Sequence, residues 1–527
     1  MSQSGAEVDP IWGREFRQFD IFARNISMDY LSLGVEMLIG VVMLPFNVAH
    51  LGQSTYGLWV LVASITMYFS MLDLGYGVAQ VKFASEYRAR RDSEGLNQIV
   101  SSLFFFFCIV GLVAFAVGAV IAFNLQRFLN ISPEQAGVGR QTLLIISGYI
   151  ALGFPVSVFG GIVNGFQRHY LNGFVSIATA VTIAVVNVVV LVAGYGLIEL
   201  VAATTVVRVL SYIGYAMNAY RAYPGLRLRP SNIRISRLRE VTGFSAFILL
   251  IDIANKVNYS TDAIVIGAFL TTVAISVWAV AQRLADAAQM ITGTLNGAIF
   301  PIVVDTATLG QSDRLRRLFI QGTRVSLAMV IPLATGLGLL AEPLVRAWVG
   351  PDFLGAVPVI WLLAIAVAIR VGNSAATTVL KGSGRVRLLA YSNLIIAVAN
   401  IVISIALVHQ LGLIGVALGT LIALATVSIF VLFPAGCRRV DLKITDAIRT
   451  AVWPAVWPAI IMAAFLAATR SFVSVSLPTI AIQSAIAGVI YLAVFLLFAI
   501  GHDERHWYAA KVRLLIRRPS ALDAVSG

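Results

Sequence analysis

The stretch GFSAFILLIDIANKVNYSTDAIVIGAFLTTVAISVWAVAQRLADAAQMITGTLNGAIF, residues 243–300, decides the class of fold. It divides into two apolar runs, 243–267 and 274–300, each long enough to cross a bilayer as a helix. Together the runs carry Asp252, Lys256, Asp262, Arg283 and Asp286. Charge at membrane depth is costly, so five ionisable groups in one hairpin ask for a pathway or a partner. Asp252, Asn255, Lys256, Tyr259 and Asp262 follow helical spacing along one face. Gln282, Asp286, Gln289, Gly293 and Asn296 make a similar stripe on the second run, with Arg283 beside it. With a turn near Leu270, Lys256 and Arg283 both lie about 20 Å from it, at matching depth. The pattern predicts a helical hairpin that lines a wet cavity. A second reading stays open: Asp252 with Lys256, and Arg283 with Asp286, stand at spacings that allow local ion pairs.

The rest of the chain has the same character. Hydrophobic residues make up 59% of 527, charged residues 12%, and the mean hydropathy is +0.88. A soluble domain is nearer one quarter charged, so an all-α polytopic membrane protein is expected. Apolar stretches of about 20 residues number fourteen, with the splits inside 173–220 and 388–435 the least marked. The first 26 residues are largely polar and lack a cleavable signal, so the first span is expected to direct insertion. The net charge of +13 sits in short loops rather than on a basic soluble domain, which argues against nucleic acid. Two cysteines, Cys108 and Cys437, give neither metal spacing nor a disulfide framework. No phosphate-cradling loop, paired metal ligands or nucleophile elbow is present, so no enzyme activity, catalytic residue, cofactor or metal is expected.

Charge placement predicts the topology. With the N-terminus inside, 29 of the 38 Lys and Arg residues fall in inside segments and four in outside segments. That is a strong positive-inside signal for an even number of spans with both termini cytoplasmic. An internal repeat at an offset of 219 residues sets HLGQSTYGLWVL, from His50, against FLTTVAISVWAV, from Phe269. Leu51 then meets Leu270 and Trp59 meets Trp278. The expected organisation is an inside segment 1–26, a six-span lobe 27–220 and a basic linker 221–240. A second six-span lobe follows at 241–436, then two further spans within 449–501 and a basic tail 502–527. The run HWYAAKVRLLIRR in that tail, from His506, reads as a surface anchor.

Further candidates lie in the first lobe. Asn25, Asp29, Ser32, Glu36, Gly40 and Asn47 form a polar stripe on the first span. Asp29 and Glu36 either line a cavity or satisfy neighbouring helices. Asp73, in MLDLGYG, either works in the cavity or braces the lower half of span two. Arg208 and Arg370 read as snorkelling or paired side chains, with a functional role as the other reading. Pro155, Pro301, Pro332, Pro358 and Pro454 each remove a backbone donor and weaken one turn.

From Leu44 the chain reads LPFNVAHLGQSTYGLWVLVASITMYFSMLDLGYGVAQVKFASEYRARRDSEGLNQIVSS. This stretch resembles the polysaccharide-transport family of the MOP superfamily, the O-antigen and exopolysaccharide flippases of bacteria. The carrying features are PF near the end of span one, LG then YGLW opening span two, and DLGYG ahead of the charged EYRAR run. DAIVIGAF, followed by a span ending in AIFP, resembles the start of that family's second lobe. The resemblance implies two six-helix bundles in a V around a central cavity, with about fourteen transmembrane helices in all. It implies a polyprenyl-pyrophosphate-linked oligosaccharide moved from the cytoplasmic to the outer leaflet of the bacterial inner membrane, among membrane lipids and beside polymerase and export machinery. Arg283 and Lys256 would then receive the anionic head group. Glu36, Asp262 or Asp286 would serve proton or sodium coupling, with Asp252, Asp29 and Asp73 as further cavity acids. The acids of the hairpin reduce the positive field that such a cavity is expected to have. The rival readings are a cation-coupled multidrug antiporter of the same superfamily and a non-transporting scaffold for glycan synthesis.

Overall fold

The computed structural model describes residues 10–73, 76–239, 261–470 and 475–500; for 10–23, 26, 29, 70, 78, 291–299 and 301 it describes the backbone alone. Helices carry the described chain and no strand occurs among these residues. In order they are α1 (Pro10–Met67), α2 (Tyr76–Arg90), α3 (Ser93–Phe123), α4 (Pro133–Gly165), α5 (His169–Val192) and α6 (Leu197–Ala222). After a helical stretch at 261–269 come α7 (Thr272–Thr308) and α8 (Ser312–Trp348). The chain continues through α9 (Ala356–Gly382), α10 (Val386–Leu411), α11 (Leu413–Arg439), α12 (Ile444–Thr469) and α13 (Leu477–Ala499). Among the described residues, eleven helical segments are long and apolar enough to cross a membrane. Leu112, Phe430 and Val489 are each largely exposed, as lipid-facing side chains are.

The expected breaks fall where the backbone chemistry requires them. Gly52 leaves the helical region inside α1 (φ 76°, ψ 159°) and separates the first two spans. In the repeat register its counterpart is Thr271, where the chain also leaves helix, one residue past the expected turn at Leu270. The splits inside 173–220 and 388–435 are real: α5 and α6 part at 193–196, and α10 and α11 part at Gly412.

Span two is not one continuous helix. It stops at Met67, continues as a 3₁₀ turn at Tyr68–Asp73 and restarts as α2. Both Asp73 carboxylate oxygens accept from the Gly77 N–H, at 3.0 and 3.2 Å, so the acid starts a new helix instead of continuing the old one. A Cβ on residue 77 would lie 2.8 Å from that carboxylate, which is why glycine occupies the position.

Two compact units emerge: Met1–Val280 with Ile401–Val416, and Ala281–Asn400 with Ala417–Gly527. The core of the first packs Phe83, Tyr87, Leu103 and Phe107 of α2 and α3 against Val158 and Ile162 of α4. In the second, Leu315 and Phe319 of α8 pack with Val379 and Cys437 of α9 and α11.

Two of the π turns in unit two precede prolines: Ser428–Leu432 before Pro434, and Ile448–Val452 before Pro454. Proline cannot donate to the carbonyl four residues back and its ring crowds that group, so the turn widens. The carbonyl that Pro454 leaves without its ladder partner is that of Thr450. Arg324 donates to it from Nε at 2.9 Å and Nη2 at 2.6 Å. This cation within a span serves the backbone.

Candidate transport cavities

Unit one encloses a cavity of about 620 Å³ between α1, α4 and α6, with Asp73 and Gly77 at the start of α2. Its aromatic lining comes from Trp59, Tyr149, Phe154 and Tyr212, and its one cation is Arg208. The Tyr149 and Tyr212 rings stack 5.7 Å apart at 11°. The Tyr212 hydroxyl donates to the Tyr149 carbonyl at 3.1 Å. That hydroxyl reaches so close to α4 that a Cβ on Gly153 would sit 2.6 Å from it. The Arg208 guanidinium lies 5.6 Å from the Tyr149 ring centre, a cation–π distance. The sequence reads Arg208 chiefly as a snorkelling or paired side chain and does not single out the tyrosines. One signal was available: a lone arginine in the middle of an apolar span, with Tyr212 one turn further along the same helix face.

The other acids of unit one are dispersed. Glu36 is exposed and accepts from the Ser176 hydroxyl at 3.1 Å, and Tyr215 is within electrostatic reach. Asp262 is buried beside Tyr68, whose hydroxyl bonds Thr261. Asp73 caps α2. Near Gly52, a polar knot joins Ser54, Gln135 and Thr272: Ser54 Oγ lies 3.1 Å from Thr272 Oγ1, Gln135 Nε2 donates to Thr272 Oγ1 at 3.0 Å, and Gln135 also bonds Ser54. The knot depends on Gly57, where a Cβ would lie 1.8 Å from the Thr272 carbonyl oxygen.

Unit two gathers the stripe expected on α7. Gln282 Nε2 donates to Asp286 Oδ1 at 2.7 Å, and Arg370 Nη1 of α9 donates to Gln289 Oε1 at 2.9 Å. Arg283 and Arg370 are both within electrostatic reach of Asp286. The cluster therefore has two guanidiniums around one carboxylate, and Arg370 is the member the sequence left aside. Lys256 and Asp252 lie outside the described residues, as does the side chain of Asp29. A second cavity, about 570 Å³, lies among α8, α9, α11 and α12 and is apolar apart from Thr335, Asn373 and Ser428. Asn373 is buried there with neither amide atom hydrogen-bonded. No group of three His, Cys, Asp or Glu suited to a metal occurs among the described residues.

Eleven apolar helical segments among the described residues define a multi-pass membrane protein. Residues 22–307, more than half of the chain, match the model of the polysaccharide biosynthesis protein family. The chain belongs to that family. It is 24% identical over 383 residues to the succinoglycan biosynthesis transport protein ExoT of Rhizobium meliloti, covering 72% of each chain. It is 22% identical over 412 residues to the uncharacterized membrane protein EpsK of Bacillus subtilis, covering 76% of this chain and 80% of the relative. Among solved structures, the lipid II flippase MurJ in an inward closed conformation aligns with a TM-score of 0.70 at 16% identity, over 89% of this chain and 97% of that one. An inward-facing multidrug transporter of the MATE family aligns at 0.62 and 15% identity, over 79% and 96%. The fold is shared with these two transporters, and the family is of the kind that the motifs between residues 44 and 102 had indicated.

Proposed function

We propose that this protein flips a polyprenyl-pyrophosphate-linked oligosaccharide from the cytoplasmic to the outer leaflet of the bacterial inner membrane, for export as O-antigen, capsule or exopolysaccharide. The observation that carries the reading is the presence of Arg283 and Arg370 within electrostatic reach of Asp286, in a family of polysaccharide biosynthesis proteins. The cluster brings two guanidiniums within electrostatic reach of one carboxylate. Arginine forks onto phosphate oxygens, and a pyrophosphate entering the cluster meets donors already arranged by Gln282 and Gln289. Lys256, from the same hairpin, is the third cation of the proposal.

Asp286 gives the cluster a means of coupling. A proton or sodium ion on its carboxylate releases both arginines to the lipid head group; loss of that ion restores the internal attraction and favours release. Glu36 and Asp262 are the alternative ion acceptors in unit one. Both termini lie in the cytoplasm in this reading, as the distribution of Lys and Arg predicts.

Leaflet-resolved labelling of lipid-linked glycan tests the function in cells that lack this protein and have no redundant flippase. The outer-leaflet signal is expected to fall to background and to return with the wild-type protein. A normal outer-leaflet signal without the protein overturns the reading.

A further inference from the structure

We propose that the cavity of unit one is a sugar subsite, which holds a pyranose ring of the glycan while the pyrophosphate is held elsewhere. The inference rests on the lipid-linked-glycan reading and deepens it by separating recognition of the sugar from recognition of the charge.

Arg208 is the first reason. It stands eleven residues from the start of the 26-residue α6, so about 16 Å of helix lies on one side and a little more on the other. Its side chain is exposed at that depth, and among the described residues it donates no hydrogen bond. A guanidinium carries five N–H donors. Holding it in mid-membrane with those donors unspent is costly, and such a residue marks a site that a polar ligand or water enters.

The cavity's other chemistry narrows the ligand. Asp73 lines the same space, so the acid balances the arginine and the formal charge of the lining is zero. A neutral lining with one cation does not select a pyrophosphate; it suits a neutral ligand with many hydroxyls. A pyranose has an apolar C–H face and a rim of hydroxyls. Flat aromatic faces complement the first, and a planar charged side chain with several donors complements the second. Trp59 and the stacked Tyr149 and Tyr212 supply the faces, and Arg208, beside Tyr149, supplies the donors.

The platform is also built rigidly. Tyr212 is tied to the Tyr149 carbonyl and seated over Gly153, so the pair holds its geometry without ligand. A preset aromatic surface reduces the ordering cost of binding. At about 620 Å³ the space lies within the roughly 300–1,000 Å³ of small-molecule sites.

The test compares two probes on the purified full-length protein in nanodiscs. One is polyprenyl pyrophosphate without sugar; the other is the polyprenyl-pyrophosphate-linked glycan extracted from the producing cells. Wild type is expected to bind the glycan-linked lipid at least about tenfold more tightly than the bare lipid. Tyr149→Ala and Arg208→Gln should each shrink that preference to below about twofold while leaving bare-lipid affinity unchanged. Tyr212→Phe, which keeps the ring stack, should retain it. If Tyr149→Ala does not fold, Arg208→Gln reads the same preference. A preference that survives in the folded variants, or its absence in wild type, overturns the subsite alone. Binding of neither probe by wild type overturns the flippase reading with it.

Discussion

Arg324 and Pro454 should be energetically coupled through the Thr450 carbonyl. Pro454 cannot donate to the Thr450 carbonyl, and Arg324 fills that acceptor with two N–H groups at 2.6 and 2.9 Å. Arg324→Ala removes both donors and leaves a carbonyl short of a partner in a span. A charge-assisted bond of this kind contributes about 1.5–3 kcal/mol when well shielded; with Arg324 only half-buried, a loss of about 1–2 kcal/mol is expected. In a Pro454→Ala background the new N–H at residue 454 can bond Thr450 through the ordinary helix ladder. The cost of Arg324→Ala should then fall by about 1 kcal/mol. The assay is a double-mutant cycle on the apparent unfolding midpoint of the purified protein in detergent, where for a chain of 527 residues each kcal/mol moves the midpoint by roughly 1 °C. Four proteins are needed: wild type, each single variant and the double. Equal effects of Arg324→Ala in both backgrounds, within about 0.3 kcal/mol, would refute the idea that the arginine serves the carbonyl freed by proline.

Other expectations follow from contacts of the same kind. Gly57→Ala requires its Cβ to retreat from 1.8 Å to at least 3.0 Å from the Thr272 carbonyl, a backbone shift that costs about 1–3 kcal/mol and should lower the detergent midpoint accordingly. An unchanged midpoint would show that this approach does not occur. In a background with Cys108 and Cys437 replaced, Ser54→Cys with Thr272→Cys should cross-link under mild oxidation, since the native hydroxyl oxygens are 3.1 Å apart; absence of cross-linking counts against the knot. Asp73→Ala should cost about 1 kcal/mol through loss of the α2 cap, with Asp73→Asn retaining most of it, again read from the midpoint. Arg283→Ala and Arg370→Ala should each reduce outer-leaflet labelling of lipid-linked glycan at least about tenfold at unchanged protein level in the membrane; full flux in both variants removes the cluster from the mechanism.

Much of the framework was legible because its punctuation is local. Gly52 follows Leu51 at a point where two apolar runs meet, and only a residue tolerant of positive φ turns the chain there. The DLGYG motif that carried the family resemblance has a physical meaning within five residues: an acid that caps a helix and a glycine that admits its carboxylate. What the sequence hid was the consequence of long-range packing. Tyr212 and Tyr149 are 63 positions apart, and no periodicity links them until α4 and α6 are side by side. Arg370 looked like a stray cation because its partner, Gln289, is 81 positions away. Of the hairpin charges, Asp262 lies beside Tyr68, while Arg283 and Asp286 lie within electrostatic reach of each other, with Arg370 of α9 also in reach of Asp286.

The widened turns ahead of Pro434 and Pro454 have one more effect, on the phase of the helices that follow. A π turn contains one extra residue, so everything beyond it is rotated by about 100° relative to an uninterrupted α-helix. In α12 this decides which side chains after Val452 point toward α8 and which toward lipid. Ordinarily such an extra residue can migrate along a helix or be absorbed. Here the proline ring bars the return to an α turn, and Arg324 occupies the carbonyl that such a return would need. The rotational setting of α12 is therefore latched by two residues, and a sequence that lost both would present a different face of the same apolar helix.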